Sequence, residues 1–190
     1  MARGIIVGMV AVKQRVSVEE YLALPESEKP YREYANGEVI EKAMPNFDHG
    51  QVVDALGDRL RSHRRIHGGR GGPEIRVEFE TPDGLAFRIA DIGYWAPGRP
   101  HEGTRAALPP TLAIEVVSPD DTLRQQREKC RFYRAHGVPA AWLFDPETRT
   151  MEVYEGALDG HVIGSQETFR SAVLPGFELD LADLFAVLNQ

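Results

Sequence analysis

The chain has a single cysteine, Cys130, among 190 residues. One cysteine excludes an intramolecular disulfide and any zinc site built on cysteine pairs. Secretion gains no support from it, and a cytoplasmic protein is the expectation. Positive charge in excess is also missing: 22 Lys and Arg against 29 Asp and Glu leave a formal net charge of -7. Coating nucleic acid through bulk charge is therefore disfavoured, while contact through a local basic patch and a divalent metal stays open. No apolar run is long enough to span a membrane as a helix. The nearest candidate, GIIVGMVAV at 4–12, is at the short end for a secretory segment, and Lys13, Gln14 and Arg15 follow where a small-residue cleavage site should stand. The expectation is an N-terminal extension over 1–13, disordered or upstream of a true start at Met9, ahead of one domain over 14–190. Internal repeats, low-complexity tracts and interdomain linkers are absent as well.

What is present is enough apolar residue, 42% of the chain, for a real core. Ser17-Val18-Glu19-Glu20 reads as a capping box opening a short helix that Pro25 stops. Residues 31–34 and 38–42 form a hairpin around Asn36-Gly37, a pair suited to the positive φ angles of a tight turn. Asp48 is expected to cap a second helix, in which Val52, Val53, Leu56 and Leu60 repeat at helical spacing. The glycines of 68–72 are expected to form a flexible connection; with no strand ahead and no Lys-Ser/Thr after, they are not a phosphate loop. From 74 to 95 the apolar period becomes two, with a turn at Pro82-Asp83-Gly84. TLAIEVV at 111–117 suits a strand buried on both faces. A helix over 120–136, strands at 140–144, 150–154 and 162–169, and a terminal helix at 182–188 complete an α/β fold with a mixed central sheet flanked by helices.

Two acids do not suit their settings. Glu115 lies inside an apolar strand, where a bare carboxylate costs several kcal/mol unless it is neutralised or protonated. Asp91, between Ala90 and Ile92, poses the same question on a second strand. Two carboxylates converging from neighbouring strands would suit a hard divalent cation such as Mg²⁺; a pair of buried ion pairs would produce the same pattern. In the following helix, at about 100° per residue, Arg124, Arg127, Arg131 and Arg134 form one stripe. Lys129, Tyr133 and Gln125 face another way. That lysine points toward something acidic, or snorkels past the core edge.

Asp91, Glu115 followed by Ser118-Pro119, Lys129 and Tyr133, then Gly137-Val138-Pro139 and the stretch from Trp142 to Pro146, stand in an order that resembles the Uma-type family. That family is grouped with restriction endonucleases of the PD-(D/E)XK nuclease superfamily. Val18-Glu19-Glu20-Tyr21-Leu22, Gly37-Glu38, His49 and Leu174-Pro175-Gly176-Phe177 extend the likeness over nearly the whole chain from about Val16. The resemblance implies a restriction-endonuclease-like fold, a DNA substrate, Mg²⁺ or Mn²⁺, and a homodimer. It makes Asp91 the first acid and Glu115 the second. Val117 occupies the motif's lysine position, and Lys129 matches a lysine relocated to the next helix. Three positions depart from the pattern: Ala90 replaces a usual proline, Gln125 an acid, and Ala140 a glutamate.

On that plan Asp91, Glu115 and the backbone carbonyl of Val116 hold the metal, and Lys129 orients water or offsets phosphate charge. Glu38 is a candidate third acid, or an exposed partner of Lys42. His49 could touch substrate, though packing or capping is its commoner use, and Tyr133 is a further accessory candidate. His63 and His67 have metal-compatible spacing but no accompanying acid. Arg59, Arg61, Arg64 and Arg65, with Arg124 and Arg127, are the candidates for DNA phosphates, against a merely solvated basic face. Two rivals remain: a catalytically inactive nucleic-acid-binding or dimeric protein, and a structural Asp-Glu-Lys network without metal.

Overall fold

The computed structural model describes residues 15–25 and 30–189. The expected extension and the Met9 start lie outside the described residues. Helix α1 (Val18–Leu22) opens with the expected capping box: Glu20 N–H donates to Ser17 Oγ at 3.1 Å, and Ser17 N–H to Glu20 Oε2 at 2.7 Å. Strands β1 (Arg32–Ala35) and β2 (Glu38–Glu41) form the hairpin, with Asn36 and Gly37 at φ 53° and 77°. Helix α2 runs Phe47–His67. Its cap is Asn46, not Asp48: Asn46 Oδ1 accepts from His49 N–H at 2.9 Å, so the helix opens before the residue that the sequence suggested.

The glycine run is not a flexible connection. Arg70–Pro73 is a strand, β3, paired antiparallel with β6 (Ile92–Trp95). Glycine is required by close approach: a Cβ on Gly71 would lie 2.6 Å from the carbonyl oxygen of Gly93. Strands β4 (Arg76–Thr81) and β5 (Gly84–Ile89) make the expected hairpin. The segment 85–95 is not one strand, however. It breaks at Ala90-Asp91, where the chain leaves one sheet for another.

Those sheets are a four-stranded antiparallel sheet, ordered β2-β1-β5-β4, and a six-stranded mixed sheet, β10-β9-β8-β7-β6-β3. The latter contains β7 (Leu112–Val116), β8 (Ala140–Asp145), β9 (Thr150–Glu155) and β10 (His161–Ile163). Parallel neighbours β7 and β8 are joined through α3 (Leu123–Ala135), as a parallel pair requires. Strands β11 (Thr168–Arg170) and β12 (Glu178–Asp180) pair separately, and α4 (Leu181–Phe185) leads into a final 3-10 turn.

Side chains alternate across the six-stranded sheet. Leu112, Ile114, Val116, Trp142 and Phe144 pack with Val52, Leu56 and Leu60 of α2 and Leu184 and Phe185 of α4. Ala113, Ala141 and Leu143 face the other way, onto Cys130 and Tyr133 of α3 and onto Ala35, Phe79 and Ala86 of the four-stranded sheet. By the same period, Glu115 joins Ala113 on the α3 side. Glu33 joins Ala35, so both acids point into the space between the sheets.

Candidate active site

The break at Asp91 places its carboxylate beside the end of β7. Asp91 Oδ2 accepts the Val116 N–H at 2.8 Å and lies 3.3 Å from His49 Nε2; Oδ1 is 2.8 Å from Lys42 Nζ. Val116 thus meets Asp91 through its N–H. One residue earlier, Glu115 Oε1 accepts from the Tyr133 hydroxyl at 2.7 Å and sits 2.9 Å from Lys129 Nζ. Asp91, Glu115 and Lys129, from a turn, a strand and a helix, meet in one cleft of about 650 Å³. Lys129 is directed inward, its side chain only 10% exposed.

Three residues that the sequence did not single out as catalytic complete the arrangement. Glu33 Oε1 is 2.7 Å from Lys129 Nζ and accepts the Ile89 N–H at 2.8 Å, while Oε2 accepts from Arg88 at 3.0 Å. Lys42 and Lys129 both donate to the carbonyl of Ile89, at 3.0 and 3.1 Å. On β1 and just after β2, Glu33 and Lys42 look locally like solvated hairpin charges, so no sequence signal marked them. Glu38, the proposed third acid, lies opposite Ala35 on β2 and does not line the cleft. His49 does line it, in contact with Asp91, contrary to the commoner packing use.

Burial alone would raise all three carboxyls, and their neighbours decide the outcome. Lys42 and His49 hold Asp91 well below the ordinary aspartate range despite its burial. Lys129, Arg88 and Lys42 likewise hold Glu33 below the usual glutamate value. Glu115 differs: burial pushes it up to about 7, Lys129 opposing and the charge of Asp91 adding to the rise. Burial would lower Lys129, but Glu115, Glu33 and Asp91 raise it well above an ordinary lysine. Tyr133 and the Cys130 thiol are both pushed up by burial and by Glu115, so neither is a nucleophile near neutral pH.

Hard divalent cations take carboxylate oxygens and water, and Asp91 and Glu115 supply the carboxylates. Among the described residues no three His, Cys, Asp or Glu groups form a ready cage. A cation here would have Asp91 and Glu115 as its carboxylates, in competition with the protein partners those groups already have.

None of the six arginines assigned to DNA lines this cleft. Arg127 makes a two-pronged contact with Glu152 at 2.6 to 3.0 Å. Arg59 pairs with Asp183, Arg61 with Asp58, and Arg124 with Glu128 at 3.6 Å. Arg64 donates to the Gly71 carbonyl at 2.9 Å, and Arg65 is exposed on α2. His63 is buried and stacks on His67 with ring centroids 4.4 Å apart, a packing role. Gln125 supports the helix start, its side chain accepting the Thr122 N–H at 3.3 Å. Ala140 is buried in β8.

The sequence model of Uma2, described as "Putative restriction endonuclease", matches residues 18–182. The chain belongs to the Uma2 family. A solved relative agrees: the crystal structure of a putative nuclease belonging to DUF820 from Anabaena variabilis ATCC 29413. It superposes with a TM-score of 0.78 at 26% identity, covering 91% of this chain and 99% of that one. No curated protein matches this Uma2 chain. In it the mixed sheet and its flanking helices form a nuclease-like α/β fold. Among the described residues, no helix is long and apolar enough to cross a membrane.

Proposed function

We propose that the protein is an endonuclease hydrolysing phosphodiester bonds of DNA with Mg²⁺ or Mn²⁺, on the PD-(D/E)XK plan. What carries this is the convergence of Asp91, Glu115 and Lys129 on one cleft. Asp91 and Glu115 would hold the ion, with the Val116 carbonyl as a further oxygen. When bound, such an ion polarises the phosphate and lowers the pKa of its water.

The chain's own groups have separate tasks. Lys129, held protonated between Glu33 and Glu115, serves as a donor and a fixed positive charge rather than as a base. Glu33 positions that lysine. Tyr133 fixes Glu115 through Oε1, and His49 flanks Asp91. The mouth is acidic, lined by Glu41, Glu74, Asp120, Asp121 and Glu128. Such a cleft repels a phosphodiester until cations offset its field, so substrate entry and metal loading are coupled. A cytoplasmic setting accompanies the proposal. The homodimer goes with it and is checked by light scattering.

Nicking of supercoiled plasmid tests the activity. Wild type should nick with Mg²⁺ or Mn²⁺ and not with EDTA, while Asp91→Ala and Lys129→Ala lose on the order of a hundredfold or more. Equal nicking by all three overturns it. A second reading, an inactive nucleic-acid-binding or dimeric member, is favoured by one observation: both Asp91 oxygens already have protein partners. Metal binding without strand cleavage would select it.

A further inference from the structure

The chain uses arginine for most of its positive charge. Of its 22 basic residues only four are lysine, namely Lys13, Lys29, Lys42 and Lys129. Two of those four donate to the same oxygen, the carbonyl of Ile89 at the end of β5. Lysine is a compact point charge, whereas arginine is a planar fork. At this spot the smaller group is the one that fits single oxygens. Lys42 contacts a carboxylate oxygen of Asp91 at 2.8 Å and a peptide carbonyl at 3.0 Å, with its side chain 13% exposed. Those are hard oxygen donors of the type a dication also takes.

We propose that Lys42 is a built-in competitor for the divalent cation, its ammonium and the metal being alternative occupants of Asp91 Oδ1. This rests on Asp91 being a metal ligand. The other oxygen, Oδ2, is committed to the Val116 N–H, so Oδ1 is the one available for exchange. Before metal arrives, Lys42 spares the fold a buried, uncompensated carboxylate. Loading then replaces one cation by another and releases the Lys42 amine, along with the connection to α2 that it anchors. Metal affinity is accordingly weaker than the acids alone would give, and the cleft fills only where the ion is plentiful.

The test measures Mn²⁺ binding by calorimetry for wild type, Lys42→Met and Asp91→Asn. It adds limited amine acetylation of wild type, read by mass spectrometry with and without Mn²⁺. Lys42→Met should bind Mn²⁺ about tenfold tighter than wild type. In wild type, Mn²⁺ should raise acetylation of Lys42, because the displaced amine leaves Asp91 Oδ1 and the Ile89 carbonyl. Affinity equal to or weaker than wild type overturns the proposal, as does unchanged Lys42 reactivity at saturating Mn²⁺. Should Lys42→Met fail to fold, the acetylation of wild type decides alone. If Asp91→Asn binds Mn²⁺ as wild type does, the assignment of Asp91 as a ligand fails instead, and the competitor role falls with it.

Discussion

The Tyr133 hydroxyl on α3 donates to Glu115 Oε1 on β7 across 2.7 Å, and both side chains are buried. This bond ties the helix that carries Lys129 to the strand that carries the second acid. Removing it leaves Glu115 Oε1 to Lys129 alone. Tyr133→Phe should therefore destabilise the fold by about 1–2 kcal/mol, measured by urea unfolding. A variant as stable as wild type would show that the bond contributes nothing.

Lys129 separates what holds the fold from what performs chemistry. It lies 2.7 Å from Glu33 and 2.9 Å from Glu115, so Lys129→Met strands Glu115 and leaves Glu33 to Arg88. The expected loss is about 3–5 kcal/mol. Adding Glu115→Gln removes the stranded charge and should restore most of that stability. Plasmid nicking should stay absent in both proteins, and its return in the double variant would deny Lys129 a catalytic task.

The carboxyls respond to pH in opposite senses. Glu115 has its folded value raised to about 7, so its contribution is fully present below the unfolded glutamate value and fades as pH rises through about 7. Asp91 is depressed, so its contribution is present above the unfolded aspartate value and is lost only as pH falls into strong acid. In EDTA, wild type should lose thermal stability relative to Glu115→Gln between pH 5 and pH 8, windows set by roughly those values. Parallel melting curves across that range would contradict the lifted Glu115.

The acidic mouth makes a prediction about binding rather than cleavage. Fluorescence anisotropy with a duplex oligonucleotide should show association in Ca²⁺ and little or none in EDTA, because the cleft's own field opposes phosphate. Equal affinity in both buffers would place the DNA surface elsewhere on the molecule.

Two arginines proposed for DNA contact should part company. Arg127 is committed to Glu152, so Arg127→Ala should cost about 1–2 kcal/mol, discounted for its partly exposed position, and leave the salt slope of binding unchanged. Arg65 is exposed, and Arg65→Ala should leave stability within about 0.5 kcal/mol. If α2 meets the backbone, that variant lowers the salt slope by about 1.

Local pattern sufficed for much of the architecture, since a cap, a tight turn and a period-two run each arise from neighbours in sequence. Ser17 with Glu20, Asn36-Gly37 and the apolar run around Glu115 were readable for that reason. Helical spacing likewise separated Lys129 and Tyr133 from the arginine stripe, and an acid in an apolar strand announced a need for a counter-charge. Which counter-charge arrives was beyond any such pattern. Glu33 and Lys42 become buried only when the hairpin packs against residues near position 90, and Arg127 meets Glu152 only when α3 lies on β9. Gly71 of β3 resisted for the same cause: no propensity recommends a glycine in a strand, and only the approach of Gly93 excludes a side chain there. Periodicity decides which face a residue shows; the three-dimensional packing alone decides what stands opposite it, because that partner comes from a distant stretch of chain.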